Sequence, residues 1–78
     1  MTLDRIPIGS TCIIQAVGGE GAMRRRLLDM GLTPRTKVFV RKAAPMGDPI
    51  ELTLRGYELT LLKADIKNIE VVKVEDEV

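Results

Sequence analysis

Arg26-Leu27-Leu28-Asp29-Met30-Gly31-Leu32-Thr33-Pro34 and Ala43-Ala44-Pro45-Met46-Gly47-Asp48-Pro49-Ile50 enclose one alternating run, Lys37 to Lys42. A helix end, a tight stop, a strand and a rigid turn are thus written in 25 residues. Gly31 stands where a left-handed C-terminal stop belongs, and Leu32 is the apolar residue such stops use. Val38 and Val40 share one face of the strand, with Phe39 opposite. Pro45 and Pro49 fix φ at both ends of the connection, and Gly47 sits between them as a structural turn residue.

Upstream, Ala22 to Met30 reads as a helix. Met23, Leu27 and Met30 stand at i, i+4 and i+7 and form an apolar stripe that Leu28 widens. Arg25 and Asp29 are spaced for an i,i+4 pair. Gly18-Gly19-Glu20-Gly21 breaks the chain before it. Thr11 to Val17 alternates as a strand, with Cys12, Ile14 and Ala16 on one face and Ile13, Gln15 and Val17 on the other. Leu3 to Gly9 is a lead-in segment, extended at Ile6-Pro7. Downstream, Ile50, Leu52 and Leu54 line the apolar face of a strand. Arg55-Gly56 turns the chain into Tyr57 to Leu61, Leu62 to Asn68 reads as a short helical turn, and Ile69 to Val74 is the last strand. Glu75 to Val78 is an acidic tail, expected to fray.

The order is strand, helix, three strands, helical turn, strand. No crossover is long enough for parallel pairing, so the sheet is antiparallel. Five short strands in 78 residues close most economically as one barrel domain, which removes exposed edges. Only two residues, Phe39 and Tyr57, are aromatic, so the core is aliphatic. One cysteine, Cys12, excludes an internal disulfide and suits a reducing cytoplasm; as a small residue on a strand face it reads as core. No signal peptide is visible, and no apolar run approaches a membrane span.

Chemistry is scarce. The chain has no histidine and one cysteine, which removes the commonest general base and any four-ligand zinc site. The glycine cluster lacks the lysine of a phosphate loop. Asp48, Glu51 and Glu58 are too scattered to read as a metal site. No enzyme activity, cofactor or metal is expected. The net charge is +1, but residues 20–42 carry seven basic and two acidic side chains, against four and eight over residues 43–78. That polarity points to surface contacts. Arg24-Arg25-Arg26 could meet phosphate, yet the few aromatics and near-neutral total charge do not favour nucleic acid. The candidate contact residues are Arg24 and Arg25, turned away from the apolar stripe, Met46 at the tip of the proline-framed turn, and Tyr57. Asp48 before Pro49 is expected to cap backbone groups.

In its lead-in, its Arg26-to-Leu32 helix end, its Ala44-to-Ile50 connection and its Leu59-Thr60-Leu61-Leu62-Lys63-Ala64-Asp65 segment, the chain resembles the FeoA family. The resemblance spans about Leu3 to Val74. It implies a mainly β, SH3-like five-stranded barrel with a helix inserted after the first strand. It also implies a cytoplasmic, non-catalytic accessory role in ferrous iron uptake, with the membrane transporter FeoB, which carries a GTPase domain, as partner. The alternative is a detached SH3-like module related to the C-terminal domain of iron-dependent repressors, with a DNA-linked or protein-interaction role. A proline-peptide-binding barrel would need more aromatics than this chain has. One departure stands out. Relatives often place glycine after the turn proline, whereas this chain has Pro34-Arg35. A type II turn would hold Arg35 at positive φ at a cost of about 1 kcal/mol; a type I turn would not.

Overall fold

The computed structural model describes residues 1–74; the expected acidic tail lies outside them. Five strands, β1 (Thr11–Val17), β2 (Lys37–Ala43), β3 (Ile50–Leu54), β4 (Tyr57–Leu61) and β5 (Ile69–Val74), form one sheet in the order β4-β3-β2-β1-β5. Every pairing is antiparallel. Helix α1 (Gly21–Asp29) joins β1 to β2, and a single helical turn, α2 (Lys63–Ile66), joins β4 to β5. A 3-10 turn at Leu3–Arg5, inside the lead-in, places Leu3 in the core.

Alternation supplies the core. Cys12 and Ile14 from β1, Val38 and Val40 from β2, and Ile50, Leu52 and Leu54 from β3 all point inward and are buried. Leu3, Ile6, Val17, Leu27, Leu32, Leu61, Ile66, Ile69 and Val71 complete the cluster. No aromatic side chain enters it. The strands are short, so the sheet must curl to enclose this volume. Two bulges help it do so: register shifts leave Gln15 unpaired in β1 and Arg41 unpaired in β2. Such an extra residue bends its strand and increases its twist.

The first bulge corrects the face assignment for β1. Simple alternation puts Ala16 with Cys12 and Ile14. Inserting Gln15 shifts the phase by one, so Val17 is buried and Ala16 is exposed. Pairing does not run from β4 to β5, so curling rather than a closed ladder completes the barrel. The β5 edge is covered by a bridge between Thr2 and Glu70 and by a bond from the Val71 N–H to the Met1 carbonyl, 2.8 Å.

Helix α1 is held by its C-terminal half. Leu27 is buried, and Leu28 and Met30 pack partly against the core, whereas residues 21–26 are all exposed. Met23, expected in the stripe, is 41% exposed. The loop after Val17 carries the first helical turn off the barrel, so the apolar contact begins one turn later than the spacing suggests. The helix N-cap, Glu20, makes no side-chain capping bond, and the first turn contains no acidic residue.

Candidate functional site

The C-terminus of α1 ends in a Schellman stop. The Leu32 N–H donates to the Leu27 carbonyl (3.1 Å) and the Gly31 N–H to the Leu28 carbonyl (3.0 Å), with Gly31 at φ +99°. These bonds satisfy carbonyls that a helix end otherwise orphans. The β3–β4 hairpin folds over this stop. Its two-residue turn, Arg55-Gly56, has both φ values positive, as a tight hairpin matched to strand twist requires. The Tyr57 hydroxyl donates to the Met30 carbonyl, and a Cβ on Gly31 would lie 2.6 Å from that hydroxyl oxygen.

The turn after the stop is of the strained kind. The Thr36 N–H donates to the Thr33 carbonyl (3.1 Å), and Arg35 sits at φ +75°, the type II value for a position that favours glycine. Two bonds pin it there. The Arg35 N–H donates to the Ile14 carbonyl (2.7 Å), and the Ile14 N–H donates to the Thr36 carbonyl (2.9 Å). Arg55 adds a third restraint, its Nη2 donating to Oγ1 of Thr33 (2.9 Å) and of Thr36 (2.8 Å). Sequence reasoning left this cluster out. Its only trace is a threonine on each side of Pro34-Arg35, and the arginine that joins them comes from a distant hairpin.

Arg24 and Arg25 have different environments. Arg24 donates from Nε to the Val17 carbonyl at 2.9 Å, tying the helix to the end of β1. Arg25 is exposed. Its expected pair with Asp29 does not form; among the described residues both ion pairs belong to Arg41. An exposed helix pair is worth only tenths of a kcal/mol, too little to fix two long side chains. Arg41, on its bulge, stands 2.5 Å from both Glu51 and Glu58 and offsets part of their charge across β3 and β4.

Met46 occupies the opposite end of the sheet. The turn Ala44-Pro45-Met46-Gly47 closes with the Gly47 N–H on the Ala44 carbonyl (2.7 Å), and the Ala44 N–H reaches the Pro49 carbonyl (2.9 Å). Gly47 takes φ +84°. Asp48 caps as expected, its Oδ1 accepting from the Lys63 N–H at 2.9 Å at the start of α2. Met46 is 92% exposed. Beside it an open cleft of about 290 Å³ is lined by Ala43, Ala44, Pro45 and Pro49, with Lys42, Glu51 and Thr60 at its polar margin.

The fold therefore separates the candidate residues. Val17, α1, the 33–36 turn and the 55–56 hairpin share one end of the sheet, and this end holds Arg24, Arg25 and Tyr57. Met46 lies past the other end of β3, whose five residues extend about 13 Å. Arg24 and Tyr57 are each committed to a backbone carbonyl, so both have structural work; Arg25 and Met46 do not.

Among the described residues, no group of three or more His, Cys, Asp or Glu side chains could hold a metal ion, and no helix is long and apolar enough to cross a membrane. Burial pushes the Cys12 thiol up from 9.0 to about 11. It stays protonated at neutral pH, which suits a core residue and not a nucleophile or ligand.

The FeoA domain family matches residues 1–73. A fusion of Fe(2+) transport protein A with the Fe(2+) transporter FeoB from Porphyromonas gingivalis is 32% identical over 71 residues, which is 91% of this chain and only 8% of that protein. The solution structure of a FeoA-like protein from Clostridium acetobutylicum is 36% identical, with a TM-score of 0.90, covering 100% of this chain and 91% of that one. FeoA of Stenotrophomonas maltophilia, described as an SH3 domain protein, superposes with a TM-score of 0.77 at 22% identity over 92% of this chain and 89% of that one. The fold is thus an SH3-like barrel. A manganese-dependent transcriptional repressor shares it, with a TM-score of 0.84 at 16% identity over 94% of this chain and 40% of that one, a likeness of fold alone.

Proposed function

Since the chain belongs to the FeoA family, which takes part in Fe(2+) transport, we propose that it is a non-catalytic accessory protein that binds and modulates the membrane transporter FeoB from the cytoplasmic side. The observation that carries this reading is the relative in which a segment like this chain and the transporter are one polypeptide. Covalent linkage raises the local concentration of one module near the other to roughly the millimolar range. A weak, regulated contact gains most from such linkage.

The contact is assigned first to the Met46 end. Met46 is an exposed, adaptable apolar side chain on a rigid turn, next to an apolar cleft with a polar margin. Such surfaces suit protein contacts. Arg25 supplies charge at the opposite end. Arg24 and Tyr57, the other two candidates, hold the helix in place and contribute through it.

The test is an amide titration of the isotope-labelled protein with the soluble GTPase domain of the cognate transporter, with and without a GTP analogue. Shifts concentrated over residues 43–49 support the reading. Absence of shifts at high concentration of the GTPase domain refutes contact with that domain. Steeply salt-dependent DNA binding would instead favour the repressor-like alternative.

A further inference from the structure

The sheet has two edges, β5 and β4, and the chain closes only one of them. At β5 the N-terminal segment lies alongside, with Thr2 bridged to Glu70 and the Val71 N–H donating to the Met1 carbonyl. At β4 the pairing stops. The two-residue turn makes Leu54 and Tyr57 a hydrogen-bonded pair, and the ladder alternates from there through Thr53–Glu58, Leu52–Leu59 and Glu51–Thr60. The backbone N–H and C=O groups of Glu58 and Thr60 therefore point away from β3. None of these four groups bonds to another part of the backbone among the described residues, and both residues are exposed. Open edges are commonly blunted by proline, lysine or a bulge. Tyr57–Leu61 contains neither proline nor lysine, and its register with β3 runs without a shift.

The cleft beside Met46 opens onto this edge. Its polar margin is one row across the ladder, Lys42 beside Glu51 and Glu51 beside Thr60, so it ends on β4. Resting on the Met46-end contact assigned above, we propose that the β4 edge takes an extended segment of a protein partner as an added strand, antiparallel to β4, with one side chain in the cleft. Main-chain bonds give such an addition its affinity, and alternate side chains give it specificity. The segment residue opposite Thr60 projects on the cleft side, with its Cβ about 5 Å from that of Thr60. A long apolar side chain there leans over Thr60 into the cleft. Two positions on, the residue opposite Glu58 meets a carboxylate that shares Arg41 with Glu51, and a basic residue complements it. The segment thus reads apolar, any residue, basic. A second copy of this chain fits worse. Antiparallel pairing of two β4 edges through all four groups sets Glu58 of each copy opposite Thr60 of the other, which brings a carboxylate to the cleft beside Glu51.

The test is titration of the isotope-labelled protein with the synthetic peptide acetyl-Ser-Thr-Leu-Thr-Lys-Thr-Ser-amide, followed by amide shifts and hydrogen exchange. We expect shifts at Glu58, Thr60 and residues 43–49, and exchange of the Glu58 and Thr60 amides slowed about fivefold or more at saturation. Methylation of the peptide nitrogens at Leu and Lys, whose N–H groups face β4, should weaken binding about tenfold or more. A peptide with Ser in place of Leu should bind about fivefold or more weakly. Thr60→Pro removes an outward N–H that the ladder to β3 does not use; it should weaken binding about tenfold, with circular dichroism unchanged. If that variant unfolds, the methylated peptide carries the same test from the other side. No binding at millimolar peptide, or binding indifferent to methylation or to loss of the Leu side chain, would each overturn the inference. So would slowing of Glu58 and Thr60 exchange with protein concentration alone, which would give the edge to a second copy. Peptide binding with no response to the GTPase domain would keep the edge site and refute contact with that domain. GTPase-domain shifts over residues 43–49 with Glu58 and Thr60 exchange unchanged would do the reverse.

Discussion

Gly31→Ala tests the way the helix stop and the β3–β4 hairpin depend on each other. Two costs follow from the structure. An alanine at φ +99° is strained by about 1–2 kcal/mol. Its Cβ would also lie 2.6 Å from the Tyr57 hydroxyl, so the ring must move and its bond to the Met30 carbonyl is lost. Tyr57 is 41% exposed and water can replace that bond, which limits the second cost to about 0.5–1 kcal/mol. Alanine returns about 0.5–1 kcal/mol by restricting the unfolded chain. The net destabilisation is about 1–2 kcal/mol. In urea, with a slope of about 1 kcal/mol/M for so small a domain, the midpoint should fall by roughly 1–2 M. Tyr57→Phe separates the two costs. It removes the hydroxyl, so Gly31→Ala in that background should cost only the backbone strain, and the double-mutant cycle should show a coupling of about 0.5 kcal/mol or more. Additive costs would refute the contact; a neutral Gly31→Ala would refute the left-handed stop itself.

Arg35→Gly should stabilise by about 0.5 kcal/mol, because relief of strain at φ +75° exceeds the added freedom of the unfolded chain; thermal melting reads it, and a loss of stability contradicts the type II turn. Leu27→Ala should cost about 2–5 kcal/mol while Met23→Ala stays within about 0.5 kcal/mol, and similar costs at both positions would return Met23 to the core. Arg24→Ala should cost about 1 kcal/mol through its lost bond to the Val17 carbonyl, with Arg25→Ala near neutral in the same denaturation series. The Cys12 thiol is protonated in both states below its unfolded pKa of 9.0, and only the unfolded state ionises between there and about 11. Stability should therefore fall as pH rises through that window, by up to about 3 kcal/mol, and Cys12→Ala should remove that component.

The strands and stops were legible because each is a local pattern. Thr11 to Val17 and Lys37 to Ala43 alternate, and Gly31-Leu32 follows a helical run, so neighbours alone identify them. The bulges were not legible. Gln15 and Arg41 differ little from other exposed strand residues, and only their partners on β5 and β3 reveal the extra position. The same holds for the candidate site. Arg24 and Arg25 look equivalent in the chain, and a carbonyl seven residues upstream makes one of them structural. Met46 and Tyr57 are 11 positions apart in the chain, yet β3 carries the backbone from one end of the sheet to the other between them. Proximity in sequence was a poor guide to proximity on the surface because a hairpin spans the whole barrel.

Helix α1 packs apolar side chains into the core at its C-terminal end only, its N-terminal half being tied to β1 by the Arg24 bond to the Val17 carbonyl, and this has a kinetic consequence. Its first turn has an uncapped N-terminus, begins with Gly21 and lacks an acidic residue to offset the helix dipole. The arginines that follow add positive charge where the dipole is already positive. Opening of these turns breaks few core contacts, so their amides should exchange with deuterium far faster than those of Gly31 and Leu32, through local fraying and not global unfolding. A negatively charged surface laid against them would favour the wound form. The helix would then serve as its own reporter, its exchange rates slowing in proportion to occupancy even if no backbone atom moved.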